Sequence, residues 1–591
     1  MRGEQRNTRG SKASARRRKK KINEALGKII PVFVALALIV VLVGVFYGNK
    51  LINKYKYSGK YADLGEYFDI VYDYQVAMIV NNVKLDEKAV YYKDTYYLSQ
   101  KEVTELFTDR FYVDTDEQIA LFTTQDTVIK ADLNQSENFC YYYGDEARSL
   151  ESAPVVTNDG QTYFSMEYLQ LFADFDMQIF DNPKRMVIYT EDTSLTTATI
   201  KKDTKVRYRG GVKSDILEDM TEGDTVYVLE EMEDWAKVQT KDGIIGYVEM
   251  KRYDKGSGES ISIHRAEIKP EFNSIAFDGK INMAFHQVFA KSASDFSSDV
   301  PTDKGINVVA PTWFRITNTE GDISDFASEK YVSNAHNAGV KVWAVWTDVD
   351  NTDVDMSDMF ATTEKRHRLI STMINTTTQY GIDGINLDME RIPSSAGDDW
   401  AQFLKELSIE THKAGIVLSV CNYAPTESTK HFHREVQGEV CDFVIVMGYD
   451  EHWASGGVAG SVASINFVEN GIVNTVAAGV PENKIINAIP FYTRVWKTKD
   501  AEVTAETLGM GKAATWCNDV GMELNWSDEC CQRYGEKEMN NTLYQIWLED
   551  NDSIKAKLSV MSAHNCAGVA EWKLGLEDSS VWDVIIEYLN S

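Results

Sequence analysis

The sequence predicts an α/β chain whose C-terminal half is a (β/α)8 TIM barrel, preceded by a small all-β domain, an α+β repeat module and one transmembrane helix. Three observations carry that expectation. From Lys280 onward, apolar strand-like runs alternate with amphipathic helical stretches, as a parallel sheet wrapped by helices requires. One strand in that series carries three polar residues on a single face. Near the N-terminus, a basic tail runs directly into nineteen residues without a charge.

The chain has 591 residues, enough for three or four domains, and a formal charge of −29. That charge is unevenly spread. Residues 1–28 hold eleven Lys and Arg against Glu4 and Glu24, which leaves about −38 on the remainder. A body so acidic argues against nucleic acid as a partner, and equally against simple electrostatic capture of anionic wall polymers. Thirty Tyr and twelve Trp suit sugar stacking and ordinary cores alike.

Residues 29–47 (IIPVFVALALIVVLVGVFY) would span about 28 Å as a helix, enough to cross the hydrocarbon core. The basic run Arg16–Lys21 beside them keeps the 1–28 tail cytoplasmic and everything after residue 48 extracellular. The expectation is therefore a single-pass membrane protein with its main domains outside the cell. A cleaved signal peptide is the competing reading, and the lack of a small-residue cleavage site after Tyr47 counts against it. The seven cysteines form no CxxC pair and the nine histidines no HExxH, so neither a disulfide framework nor a metal site is expected, and no cofactor.

Residues 60–195 contain a weak repeat. DTYYLSQKEVTELF (94–107) and GQTYFSMEYLQLF (160–172) each read as strand, short helix, strand. The pair resembles the copper-amine-oxidase N-terminal-like repeat of secreted bacterial wall enzymes, which implies a spacer or wall-contact module and no copper. Residues 196–253 (VRYRGG, EGDTVYVLEE, DWAKVQTKDG, IGYVEM) are short alternating strands broken at Gly and Asp-Gly turns. Their EGD, Trp235 and DGxxGYV resemble the bacterial SH3 domain, a family that contacts peptidoglycan stems or serves as a spacer.

Eight strands follow within 270–591: INMAFHQVF, INVVAPTWF, KVWAVWTD, GINLDME, IVLSVCNY, DFVIVMGYD, KIINAIPFY and GVAEWKLG. Eight such units over this length fit a barrel, in which chemistry sits at the C-terminal strand ends. A doubly wound sheet is the alternative, without a GxGxxG or P-loop to support it. The stretch from about 497 to 560 is long enough to be an insertion that walls a cleft.

The fourth strand is the informative one. Side chains alternate along a strand, so Asn386, Asp388 and Glu390 point into the barrel while Ile385, Leu387 and Met389 face the helices. Burying three polar groups there is costly unless they are paired or used. Asp388 and Glu390 lie roughly 6.7 Å apart by Cα and approach a ligand from one side. Ordinary glycosidases set two carboxylates on opposite sides of the scissile bond. A pair on one strand supplies instead an acid and a helper, leaving the nucleophile to the substrate.

DGINLDME resembles the glycoside hydrolase family 18 motif DGxDxDxE, and MGYD (447–450), IPFY (489–492) and EW (571–572) follow in the family's order. With APTWF and WLEDNDSIKAKL, the run is similar to the spore-cortex-lytic branch of peptidoglycan N-acetylglucosaminidases. The resemblance implies Glu390 as proton donor, Asp388 orienting the substrate acetamide, Tyr449 bonding its carbonyl, and Trp572 as the apolar floor. Asp450, Tyr492 and Trp453 are implied cleft residues. Asn386 stands where most of the family has Asp and still offers a hydrogen bond while removing a charge, so a pH optimum is not carried over from other members. The implied substrate is a cell-wall glycan (peptidoglycan) or a chitin-like polysaccharide. The competing classes are a chitinase or endo-N-acetylglucosaminidase on other acetylated glycans, a silent lectin-like barrel, and a structural wall protein. The last two have no use for Asp388 and Glu390.

Overall fold

A computed structural model describes residues 34–254, 260–263 and 272–591; the expected basic tail (1–28) and residues 29–33 of the apolar stretch lie outside the described residues. Among the described residues one helix, Val34–Tyr55, is long and apolar enough to cross a membrane, with a mean hydropathy of 2.1. The helix outlasts the apolar stretch through GNKLINKY, which contains no proline to end it. The described residues form two compact units, 34–98 with 170–254 and 260–263, and 99–169 with 272–591.

In the first unit the strands Gln75–Val80 and Val83–Tyr92 form an antiparallel hairpin, and Arg185–Tyr189 runs parallel to the first of them. Downstream lies an all-β sheet in which Thr225–Glu231, Trp235–Thr240 and Ile245–Glu249 pair antiparallel in sequence. Its alternate residues Val226, Val238 and Val248 are fully buried. The expected EGD turn is present: Gly223 has φ +97°, open to glycine, and the Thr221 N–H donates to Asp224.

The second unit is built on a closed eight-stranded parallel barrel. Its strands are β1 (Ile281–His286), β2 (Val308–Pro311), β3 (Lys341–Thr347), β4 (Gly384–Asp388), β5 (Val417–Tyr423), β6 (Phe443–Met447), β7 (Ile485–Pro490) and β8 (Gly568–Trp572). Closure runs through β8, where Gly568 pairs with Ile281 of β1 and Ile486 of β7. A Cβ at 568 would sit 2.1 Å from the Ile281 carbonyl oxygen, so only glycine closes the ring. Ile281, Met283, Phe285, Trp343, Val345 and Ile445 fill the interior. The opposite strand faces, including Val342, Ala344, Ile385, Leu387 and Val444, pack with the helical layer. Strands apolar on both faces are what a helix-covered parallel sheet demands.

Helices Thr363–Tyr380 and Gly397–Ala414 flank β4. Thr362 caps the first, and Gly381 and Gly415 end the two at φ 69° and 68°. Between β7 and the helix Asn551–Ala563, residues 492–548 form a separate antiparallel sheet around one helix, with its own core of Val495, Ala513, Ile546 and Leu548. Residues 99–169 supply a five-stranded antiparallel sheet starting at Phe111–Asp114.

The helices flanking β4 are joined by a buried ion pair. Arg366 and Glu406 have side-chain exposures of 0% and 2%, with Nε donating to Oε2 at 3.0 Å and Nη2 to Oε1 at 3.2 Å. Arg366 also donates to the Phe360 carbonyl at 2.8 Å and the Tyr112 hydroxyl at 3.2 Å. The removal of one partner strands the other charge out of water. Arg366→Met is expected to destabilise the second unit by about 3–5 kcal/mol in denaturant unfolding. A loss under 1 kcal/mol would show that the pair holds nothing together.

Candidate active site

The polar face of β4 is served by its neighbours. Gly384 lets the strand lie against the Trp343 ring, which a Cβ would meet at 2.5 Å. Asn386 is fully buried; its amide donates to Ser419 Oγ at 3.0 Å, and its carbonyl oxygen accepts from Cys421 Sγ at 3.2 Å. Both partners stand on β5, so an Asn here ties β4 to β5 without adding charge. Asp388 ends β4, and two residues later Glu390 leaves the strand.

Asp348, just beyond β3, fixes that exit. Its carboxylate accepts the backbone N–H of Glu390 at 2.9 Å and of Arg391 at 3.0 Å. Arg391 turns away from the carboxylates to donate to the carbonyls of Asn351 and Thr352. The Tyr423 hydroxyl, at the end of β5, donates to Glu390 Oε2.

The facing side comes from β6, β7 and β8. Gly448 brings β6 close to β7, since a Cβ would sit 2.8 Å from the Ala488 carbonyl oxygen. Tyr449 follows, its ring centroid 6.5 Å from Trp572 and 6.3 Å from Tyr492. Asp450 takes the left-handed conformation (φ 59°), tolerable for Asp, and accepts from Tyr492 Oη and, at 2.8 Å, from Arg494 Nη1. Trp572, the last residue of β8, also lies against Phe285 of β1 at 5.4 Å.

The electrostatics are those of carboxylates crowded out of water. Burial, then Glu390, Asp348 and Asp350, pushes the Asp388 carboxyl well above the usual carboxylate range. Glu390 is also raised, first by burial and then by Asp348 and Asp450, while the Tyr423 hydrogen bond pulls it back. Asp348 is raised by burial against the two backbone N–H groups that favour its charged form. Asp388 and Glu390 therefore titrate as a pair that holds a proton readily. Burial also holds the Tyr449 hydroxyl protonated, with Asp388 and Glu390 adding to the effect. A protonated carboxyl beside a hydroxyl donor and an indole face can protonate a leaving oxygen and hold a neutral amide.

Asn386, Asp388, Glu390, Tyr449, Asp450, Tyr492 and Trp572 thus gather at one barrel mouth. Trp453 is on the loop after β6, 54% exposed, against Gly456, with no described contact to the carboxylates. Sequence reasoning missed Asp348, Tyr423 and Arg494. The available signal was position: WTD and CNY each put a polar group at a C-terminal strand end. Among the described residues no three His, Cys, Asp or Glu side chains are grouped as a metal site needs.

Residues 244–577 match the family described as glycosyl hydrolases family 18. The cortical fragment-lytic enzyme of Bacillus subtilis (strain 168) is 26% identical over 239 residues, covering 38% of this chain and 54% of that protein. The chain thus spans about half the length of that relative. The uncharacterized glycosylase YvbX of the same organism is 25% identical over 301 residues, covering 47% of this chain and 84% of the other. Among solved structures, a chitinase from Chromobacterium violaceum superposes with TM-score 0.47 at 19% identity, covering 53% of this chain and 99% of its own. The spore cortex-lytic enzyme SleL of Bacillus megaterium gives 0.47 at 18%, covering 55% and 77%.

The Tyr423 hydrogen bond favours the ionised form of Glu390, so its removal should raise the proton affinity of that carboxyl. Tyr423→Phe is expected to move the Glu390 titration upward, followed by carboxyl-labelled NMR. An unchanged or lower midpoint would break the assigned coupling.

Proposed function

The chain belongs to glycosyl hydrolase family 18, and from that membership we propose that it hydrolyses β-linked N-acetylglucosamine-containing glycans, with cell-wall peptidoglycan as its substrate. The observation that carries the mechanism is the placement of Asp388 and Glu390 at the end of one strand, on one side of the barrel mouth. Glu390 protonates the glycosidic oxygen as the bond to the anomeric carbon breaks. The substrate's own acetamide oxygen attacks that carbon, closing a cyclic oxazolinium ion. Asp388 accepts the acetamide N–H and offsets the developing charge, and Tyr449 donates to the acetamide carbonyl oxygen. Water then adds to the anomeric carbon from the face the leaving group vacated, the bond from that carbon to the acetamide oxygen breaks and restores the acetamide, Glu390 takes the water's proton, and configuration is retained.

Trp572 forms the floor under the sugar ring, where an indole face matches the axial C–H surface of a pyranose. Asp450 and Tyr492, held by Arg494, border the adjoining sugar, and Trp453 is available farther along a bound chain. Asn386 keeps β4 and β5 in register without competing for the pair's proton. The helix Val34–Tyr55 is the anchor, with the tail cytoplasmic and the remaining domains extracellular. Residues 196–253 act as an SH3-like wall contact; of the copper-amine-oxidase N-terminal-like region 60–195, the parts outside 99–169 act as the spacer before it, and 99–169 belong to the barrel's unit. Peptidoglycan is favoured over chitin by this anchored arrangement and by the cortical fragment-lytic relative.

General acid–base help contributes about 10²–10⁴-fold, so Glu390→Gln should lower turnover by at least that factor while binding of acetylated oligosaccharide survives. Asp388→Asn should also slow turnover, yet spare some activity on substrates with good leaving groups. Near wild-type rates in Glu390→Gln would refute the assignment, and a wild type that binds but never cleaves is a lectin. The nucleophile has its own test: peptidoglycan and chitin oligomers stripped of their N-acetyl groups should react far more slowly than the intact polymers. Equal product yields by mass spectrometry would exclude acetamide participation.

A further inference from the structure

On the flank of the barrel, away from the carboxylates of β4, a cavity of about 730 Å³ opens between the helices Gly397–Ala414 and Arg434–Val440 and the strand Phe111–Asp114. Lys405 reaches it from the middle of the longer helix. Its side chain belongs to a residue only 8% exposed, and among the described residues no hydrogen bond or ion pair reaches its ammonium. Burial and the neighbouring Arg110 pull that ammonium down to about 8. The ammonium opens into the cavity rather than being sealed in the core, so a ligand entering there meets a cation with no hydrogen-bonded partner of its own among the described residues.

The surroundings restrict what that ligand can be. Arg110 is already paired with Glu439, and His433 with Asp398 at 3.2 Å and Glu435 at 2.7 Å. Lys405 is thus the one cation lining the cavity without a partner among the described residues, with the carboxylates Asp109, Asp398 and Glu435 in its field. With Asp399 also in the lining, the single free positive charge amid these acids leaves room for no more than a monoanion and repels a dianion. Apolar lining from Phe111, Val113, Ala401 and Val436 suits aliphatic side chains, and the exposed Asp109 at the rim suits an ammonium. We propose that this cavity binds the free carboxyl end of a short peptide, with the carboxylate on Lys405. The peptide branches of a wall glycan would present such an end, a clause that rests on the substrate reading above; free peptides present the same group.

The test uses the full-length protein in detergent and calorimetry with dialanine, dialanine amide and inorganic phosphate as probes. Dialanine should bind, and its amide, which lacks the charge, should bind at least tenfold more weakly. Phosphate should not displace dialanine. Lys405→Met should lose at least tenfold in dialanine affinity while keeping wild-type hydrolysis and melting temperature, because Lys405 touches no part of the barrel mouth. Equal binding of acid and amide, undiminished binding by the variant, stronger binding of phosphate, or no dialanine binding at millimolar concentration would each overturn the proposal. Should Lys405→Met fail to fold, the acid–amide comparison on wild type decides alone. Hydrolysis is measured separately, so a failure of the catalytic reading leaves this result standing. A wall digest that competes with dialanine, before and after removal of its peptides, separates branch from free peptide as the source.

Discussion

Crowding of Asp348, Asp388 and Glu390 at one end of β4 is the constraint around which the second unit is organised. Three carboxylates leaving water together are tolerable only if protons, donors or cations replace the lost solvation. Arg391 faces the Asn351 and Thr352 carbonyls, so the relief comes mainly from donors: two backbone N–H groups on Asp348 and one phenol on Glu390. What those donors leave uncompensated appears as raised proton affinity, first of all from burial. A carboxyl that stays protonated is what a poor leaving group needs, so under the proposed function the same crowding would supply the acid.

Much of this was legible because it is local. The alternation of Asn386, Asp388 and Glu390 on one strand is a period-two pattern, and the eight apolar strands follow from the same rule. Tyr449 and Trp572 were reachable by their place at strand ends. Asp348 and Tyr423 were not, because their importance lies in pairings across strands some 40 and 30 residues away, which no periodicity encodes. The insertion shows the same limit. Strand-like character runs unbroken from Ile485 through Lys499, so the pattern cannot show that the chain leaves the barrel after Pro490 and enters another sheet at Tyr492. Nor does the pattern show that 99–169 groups with the barrel, since the interactions responsible, such as Tyr112 with Arg366, are long-range.

Asn386 shows how a change of residue type is absorbed. The amide accepts from a thiol and donates to a hydroxyl on β5, satisfying one donor and one acceptor where an ionised Asp would only accept. One fewer carboxylate at the base of the mouth leaves the proton to be divided between Asp388 and Glu390.

The inserted sheet, finally, is tied to the β6 loop at several points. The Trp496 indole N–H donates to the Gly460 carbonyl at 2.8 Å, Ser461 to Gln532 at 2.5 Å, the Ile465 N–H to the Cys530 carbonyl at 3.0 Å, and Arg494 to Asp450 at 2.8 Å. Wall and loop therefore move as one body, and both are continuous with barrel strands. A boundary stapled in this way has a fixed gauge. A ligand entering the mouth on that side therefore meets a boundary in which neither part can yield without the other.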